Sequence, residues 1–470
     1  MNPERMALQV LLPAFPGTTL TADAAALLEE GLGGVCLFGS NTADGPDALR
    51  ALTGAIHTAA PDAIVAVDEE GGDVTRLHAG SGSPVLGPAA LGQADDLELT
   101  RTTGCLVGAD LVEAGVDLDL GPVADVNTDP DNPVIGTRSF GTDPVRVAAH
   151  VAAWLSGLQG AGVAACAKHF PGHGDTAQDS HLELPTVDAD LDLLLARELV
   201  PFVAAVDAGV AAVMTSHIVL PALDAGLPAT LSRPVIALLR ERLGFDGVIV
   251  SDALDMAGAS GGRGIPEAAV LSLVAGADLL CLGADKDVDL VRGVQSAILT
   301  AVRTGRLPEE RLSDAARRVS ALRRPPDGGR ASLDGAGLLA GARRSVTVDG
   351  VVPSLAGAVV VRVDTPANIA VGDVPWGLPS DVVIPGTASG TPADVPRDRP
   401  LVVQVRDAHR RPEALSLLDR LAGTGQPIVV VEWGWPGPHD ARLPRICARG
   451  YSRPGATAVT ELLRRAGWDR

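Results

Sequence analysis

Residues 167–185 read AKHFPGHGDTAQDSHLELP and hold three of the chain's nine histidines together with Asp175 and Asp179. Imidazole has an ordinary pKa close to neutrality, so it can give and take protons under physiological conditions. Asp179 and His181 stand two residues apart. A carboxylate so placed can orient the ring and stabilise its cationic form, giving an acid able to protonate a leaving oxygen. Lys168 and His169, at the start of the segment, donate hydrogen bonds and suit hydroxyl groups, while the glycines let the loop fold over a ligand. His169 and His173 have the four-residue spacing of helical zinc motifs, but Pro171 and Gly172 break the helix that would bring the two rings together. A surface loop with individually satisfied polar side chains is the non-chemical alternative.

Three further segments carry polar groups at the ends of apolar runs. GVIVSDALDM sets Asp252 where a β-branched strand ends. A carboxylate there either faces the mouth that the strands enclose or caps the following helix. VAVDEEGGDVTRL places Asp68, Glu69 and Glu70 at another strand end, with Arg76 shortly after. Asp accepts from hydroxyl pairs and Arg donates in a fork, which suits a polyol, although a solvated charged turn has the same composition. NPVIGTRSFG adds Arg138. Of 38 basic residues only Lys168 and Lys286 are lysines, so each surviving lysine merits attention.

These residues need elements to position them. Eight short β-prone runs recur up to about residue 282: QVLLPAF, GGVCLFG, AIVAVDEE, VDLDLGPVADV, VAACAKHF, AAVMTSH, GVIVSDA and ADLLCLG. Helical patterns lie between them at 44–59, 97–114, 144–161, 191–208 and 233–243, the alternation expected of a parallel sheet. Asp68, Lys168, His169, His217 and Asp252 fall at the C-terminal ends of different predicted strands, where barrel enzymes assemble their sites. An open doubly wound sheet would gather its chemistry at one switch point instead. The expected fold is therefore α/β: a TIM-type (β/α)8 barrel followed by a smaller α/β sandwich domain. The Pro-, Gly- and Arg-rich stretch after residue 322 reads as a linker. The expected divisions are a catalytic barrel over 1–325, a linker over 326–336 and the second domain over 337–470, where GAVVVRVD, RPLVVQVRD and QPIVVVEWGW read as buried strands.

Bulk properties narrow the function. A net charge of −20 argues against nucleic acid and anionic membranes, which need clustered basic residues. No apolar run is long enough to span a bilayer and the N-terminus lacks a signal pattern, so the expected location is the cytoplasm. Five cysteines, three of them inside apolar runs and none in C-x-x-C spacing, support neither a disulfide framework nor structural zinc. With only 3% aromatic residues, the chain has few stacking platforms for a long glycan. A short carbohydrate fits better.

DEEGGDVTR, NPVIGTRSFG, KHFPGHGDTAQDSH and SDALDM occur in the order and approximate spacing of the glycoside hydrolase family 3 β-N-acetylglucosaminidases of the cytoplasmic NagZ type, which the chain resembles over roughly residues 8–320. The resemblance implies a retaining exo-acting enzyme with Asp252 as nucleophile and His181 as acid/base, supported by Asp179. It implies that Asp68, Arg76, Arg138, Lys168 and His169 grip the non-reducing sugar and that neither metal nor organic cofactor takes part; His217, from its strand-end position, is a further candidate ligand. Position 253, often Asp in this family, is Ala here. Imidazole does not repel an anionic acceptor as glutamate would, so inorganic phosphate in place of water, making a phosphorylase, is the leading alternative. A catalytically silent sugar-binding protein is the alternative of another class. The second domain resembles the family's C-terminal sandwich, but Glu432 in VVVEWGW reads as structural or subsite lining, because the His181 loop already supplies an acid.

Overall fold

The computed structural model describes residues 2–176, 184–322, 335–365, 370–372, 374–387 and 395–470. Eight parallel strands form one sheet: β1 (Leu11–Leu12), β2 (Gly34–Leu37), β3 (Ile64–Val67), β4 (Leu118–Asp119), β5 (Ala164–Phe170), β6 (Ala212–Thr215), β7 (Val248–Ser251) and β8 (Leu279–Cys281). They pair in chain order, with β8 returning to β1. The sheet closes where the Cys36 amide donates to the Pro13 carbonyl at 2.8 Å. The result is the expected barrel. Its strands are buried throughout and mostly apolar because both faces are covered, by helices outside and by packed side chains within. The interior stack includes Leu12, Cys36, Ala66, Leu118, Cys166, Met214, Val250 and Cys281. All five cysteines are buried free thiols.

The outer helices follow from amphipathic spacing and capping. Pro46–Ala59 turns Leu49, Leu52, Thr53 and Ile56 inward, one stripe at helical period. Pro144–Gly160 begins with Pro at its first position and with the Asp143 carboxylate accepting from the Arg146 amide. The segment 191–208, expected as one helix, instead breaks into Leu191–Leu193, a π turn at Leu194–Glu198 and Val200–Asp207. Pro201 has no N–H to donate back into the preceding turn, and the ladder shifts to the Leu199 amide donating to Leu194 O at 2.9 Å.

The second domain is a six-stranded sheet: β9 (Thr347–Asp349), β10 (Val359–Asp364), β11 (Val382–Pro385), β12 (Leu401–Val405), β13 (Ile428–Glu432) and β14 (Arg445–Cys447). The order is β9-β14-β13-β12-β10-β11, all parallel except β9. Helices Pro412–Ala422 and Arg453–Arg465 accompany it. The order reverses between β10 and β12, and chain following these two strands reaches the barrel. Arg406, next after β12, meets Asp73, and the carbonyls of Ala370 and Val371, beyond β10, meet Arg76. The crevice of the topological switch point therefore faces the barrel mouth. Most of the expected linker 326–336 lies outside the described residues. Among the described residues no helix is long and apolar enough to cross a membrane.

Candidate active site

A cavity of about 350 Å³ opens at the C-terminal ends of the barrel strands. Its lining gathers Asp68, Arg76, Arg138, Lys168, His169 and Asp252, six of the residues expected from the sequence. Asp179 and His181 lie outside the described residues; their loop leaves from the end of β5. His217 is fully buried and is not among the lining residues. Its Nε2 donates to the Ala253 carbonyl at 2.9 Å and its Nδ1 lies 3.0 Å from Thr230 Oγ1.

The deep side of the cavity is an ion network centred on Glu70, which is 1% exposed. Arg138 donates to both of its oxygens, from Nε at 2.9 Å and from Nη2 at 2.8 Å. Lys168 Nζ lies 2.7 Å from Glu70 and 2.5 Å from Asp68. Burial alone would push the Glu70 carboxyl up, but the Arg138 and Lys168 charges outweigh it and hold Glu70 well below the usual carboxylate range. Burial likewise opposes the charge on Lys168, and Asp68 and Glu70 reverse the effect, raising its pKa. Both groups are thus fixed as ions, with Asp68, 18% exposed, as the acceptor nearest solvent.

His169 is set by a residue the sequence did not single out. Asp125, fully buried, accepts from His169 Nδ1 at 2.7 Å, from the His169 amide at 3.2 Å and from the His173 amide at 2.7 Å. The Arg138 Nη2 to His169 Nε2 distance of 3.4 Å suits a ring protonated on Nδ1. Burial drives the His173 pKa down to about 4, so that ring is neutral near pH 7. Burial also pushes Asp119, beneath Asp68, well above the ordinary range. Glu69 shapes the turn that presents these groups: its carboxylate accepts from the Arg76 and Leu77 amides at 2.8 and 3.0 Å.

Asp252 follows β7 directly. The next helix begins at Ala257 with Met256 at its N-cap, so Asp252 is not its cap. Instead Asp252 Oδ1 accepts from the Ala253 amide at 2.8 Å. The backbone around it is pinned: the Leu254 amide donates to Cys281 O at 2.9 Å, Ser251 Oγ accepts from the Cys281 amide at 3.1 Å, and His217 holds the Ala253 carbonyl. His217 is thus a support of the Asp252 turn. Such pinning fixes the backbone that carries the Asp252 carboxylate.

The second domain adds one wall. Ala370 lines the cavity, and its carbonyl accepts from Arg76 Nη2 at 2.7 Å. Glu432 is elsewhere, accepting from the backbone amides of Asp407, Ala408 and Gly434. Burial, with Asp407 nearby, pushes its pKa up to about 7. Trp433 is buried against Tyr451 with its indole N–H on Gln404 at 3.0 Å, a packing role. Among the described residues no group of three or more His, Cys, Asp or Glu side chains is arranged to hold a metal ion.

The family described as Glycosyl hydrolase family 3 N terminal domain matches residues 8–322. A β-hexosaminidase of Methylococcus capsulatus is 38% identical over 270 residues, covering 56% of this chain and 79% of that protein. The solved family 3 β-N-acetylglucosaminidase of Paenibacillus sp. str. FPU-7 superposes with a TM-score of 0.89 at 31% identity, covering 100% of this chain and 97% of that one. NagZ from Neisseria gonorrhoeae, solved with N-trifluoroacetyl-D-glucosamine, is 34% identical with a TM-score of 0.59, covering 70% of this chain and 92% of that one.

Proposed function

Because the chain belongs to glycosyl hydrolase family 3 and is a glycoside hydrolase, we propose that it removes terminal β-linked N-acetylglucosamine from short glycans such as chitooligosaccharides or muropeptide fragments, with retention of configuration. The observation that carries this reading is the placement of Asp252 in one cavity with Asp68, Arg138, Lys168 and His169. Besides Asp252, that set offers the Asp68 carboxylate as acceptor and two charged donors, Arg138 and Lys168, in fixed positions, the equipment for a ring bearing adjacent hydroxyls. The relatives' names, β-hexosaminidase and β-N-acetylglucosaminidase, supply the sugar.

In the proposed reaction a carboxylate oxygen of Asp252 attacks the anomeric carbon as the bond to the leaving oxygen breaks. His181, oriented by Asp179, gives its proton to that oxygen. Neutral His181 then takes a proton from water, whose oxygen displaces Asp252 and restores the original configuration. Retaining glycosidases ordinarily use two carboxyl groups, and here the acid is an imidazole. His181 gives up one proton in the first step and regains one from water in the second, and Asp252 leaves as the free carboxylate.

An aryl N-acetyl-β-glucosaminide tests the proposal. The wild-type protein should release N-acetylglucosamine from it, a 2-fluoro sugar should label Asp252, and Asp252→Ala should lower kcat by about 10³-fold or more. Labelling of another carboxylate would falsify the nucleophile assignment. Free sugar should be the product with or without phosphate; a sugar 1-phosphate would replace hydrolysis by phosphorolysis. A protein that binds the sugar and releases nothing would be the silent binder.

A further inference from the structure

The cavity before Asp252 has two unlike arcs. The ends of β3 and β5 and the chain following β4 supply the locked polar set of Asp68, Glu70, Arg138, Lys168 and His169. The ends of β2, β7 and β8 supply Phe38, Asp255, Met256, Gly283 and Ala284. Lys286, the other of the chain's two lysines, is not among the lining residues but pairs with one of them, its Nζ 2.8 Å from Asp255 Oδ2. The two side chains are 16% and 30% exposed, so the pair is neither sealed in the core nor free in solvent.

The corner is shaped around this pair. Gly283 has φ +93°, and a Cβ there would come within 2.1 Å of the Asp255 carboxyl carbon. Only a glycine at 283 lets Asp255 lie across the end of β8. The Lys286 amide donates to the Ala14 carbonyl at 2.7 Å, and Asp285, at φ 52°, accepts from Ser40 Oγ at 3.0 Å. Loops after β1, β2, β7 and β8 are thus joined at one point, apart from the Glu70 network.

We propose that Asp255 and Lys286, flanked by Phe38 and Met256, form the subsite that receives the leaving group, and that they select a second, uncharged sugar ring. The inference rests on Asp252 being the nucleophile. A ring gripped through its hydroxyls by the β3 to β5 arc, with its anomeric carbon at Asp252, directs its leaving oxygen away from that arc and toward the other. There Asp255 offers a carboxylate acceptor whose charge Lys286 offsets from 2.8 Å away, which matches neutral hydroxyls better than a carboxylate. Phe38 and Met256 give the apolar cover that a sugar face takes.

The test compares N,N′-diacetylchitobiose with 4-nitrophenyl N-acetyl-β-glucosaminide, whose leaving group has no hydroxyl pair to offer. Asp255→Asn keeps the shape of the side chain, and Lys286→Gln removes the charge. In each variant kcat/KM for the disaccharide should fall by about tenfold more than for the aryl substrate, chiefly through KM, the size of one lost hydrogen bond to a charged group. Equal losses on both substrates, with or without a lowered Tm, would overturn the proposal and leave the pair as a loop fastener. Losses confined to a disaccharide with an acidic second ring would overturn the preference for a neutral one. A wild-type protein inactive on the aryl substrate would instead overturn the nucleophile reading on which the subsite rests.

Discussion

At the scale of single residues, Arg138 has the most to lose. Its side chain is 5% exposed and forks onto Glu70, so it both neutralises a buried carboxylate and faces the cavity. Removing one member of a buried pair costs about 3–5 kcal/mol, because the remaining charge stays out of water. Arg138→Met should therefore lower stability toward urea by roughly that amount, and the double variant with Glu70→Gln should regain part of it. A single variant within about 0.5 kcal/mol of wild type would show that Lys168 alone satisfies Glu70. Asp68, Lys168 and Asp252 were legible in the sequence because each interrupts an apolar strand at its end. Glu70 was visible as one of three acids, but nothing marked it as the hub. Asp125 was invisible, since a lone Asp in VADV carries no spacing signal; only the fold brings it to His169. His217 shows the converse, because a strand-end position does not say whether a side chain enters the cavity or supports the turn beside it.

At the scale of elements, the loop that carries Asp179 and His181 has a well-defined stem. Asp175 accepts from Thr128 Oγ1 at 2.9 Å and pairs with Arg197, which also donates from Nε to Glu198 Oε1 at 2.5 Å. Glu198 is 1% exposed, and its Oε2, which has no hydrogen-bond partner among the described residues, packs against Gly172. A Cβ at 172 would stand 2.7 Å from that oxygen. Burial raises the Glu198 pKa to about 7, with Arg197 opposing it and Asp125 and Asp175 adding to it. The folded protein holds this proton more tightly than the unfolded chain does. The two states are alike below about pH 4.5; stability then falls as pH climbs to about 7 and levels off above. Glu198→Gln cannot ionise, so the gap between its Tm and that of wild type should move in its favour by about 1–3 °C between pH 5 and pH 8. A gap that does not change with pH would mean that Glu198 titrates normally. The barrel's eight strands were legible because buried parallel strands are continuous apolar runs. In the second domain β10, β12 and β13 were legible for the same reason. By contrast, β9 and β11 escaped because they are partly exposed, and β14 because it spans three residues, two of them Arg and Cys.

At the scale of the molecule, the open question is what couples the second domain to a site that the barrel largely builds. The sequence disclosed a second α/β unit but not its orientation, since orientation depends on contacts between residues hundreds of positions apart. Asp73 is one joint. Its carboxylate, 5% exposed, accepts from Thr137 Oγ1 at 2.7 Å, the Tyr451 amide at 2.9 Å and Arg406 Nη2 at 3.3 Å, so one side chain ties two barrel loops to the other sheet. Arg406 in turn lies 4.9 Å from the ring centre of Trp376, which orients it from behind. Asp73 stands three residues after Glu70 and three before Arg76, whose guanidinium holds the Ala370 wall of the cavity. Loosening Asp73 should therefore be felt both at the interface and at the cavity. Asp73→Ala leaves Arg406 buried without its counter-ion, at a cost of about 3–5 kcal/mol, so Tm should drop by several degrees. The wall should shift with it, raising KM for the aryl substrate by about tenfold, as expected when a positioned contact is lost. Asp73→Asn, which keeps acceptor geometry without charge, should recover most of the KM but less of the Tm. If Asp73→Ala lowered Tm and left KM unchanged, the second domain would be a stabilising partner of the barrel and no part of its binding site.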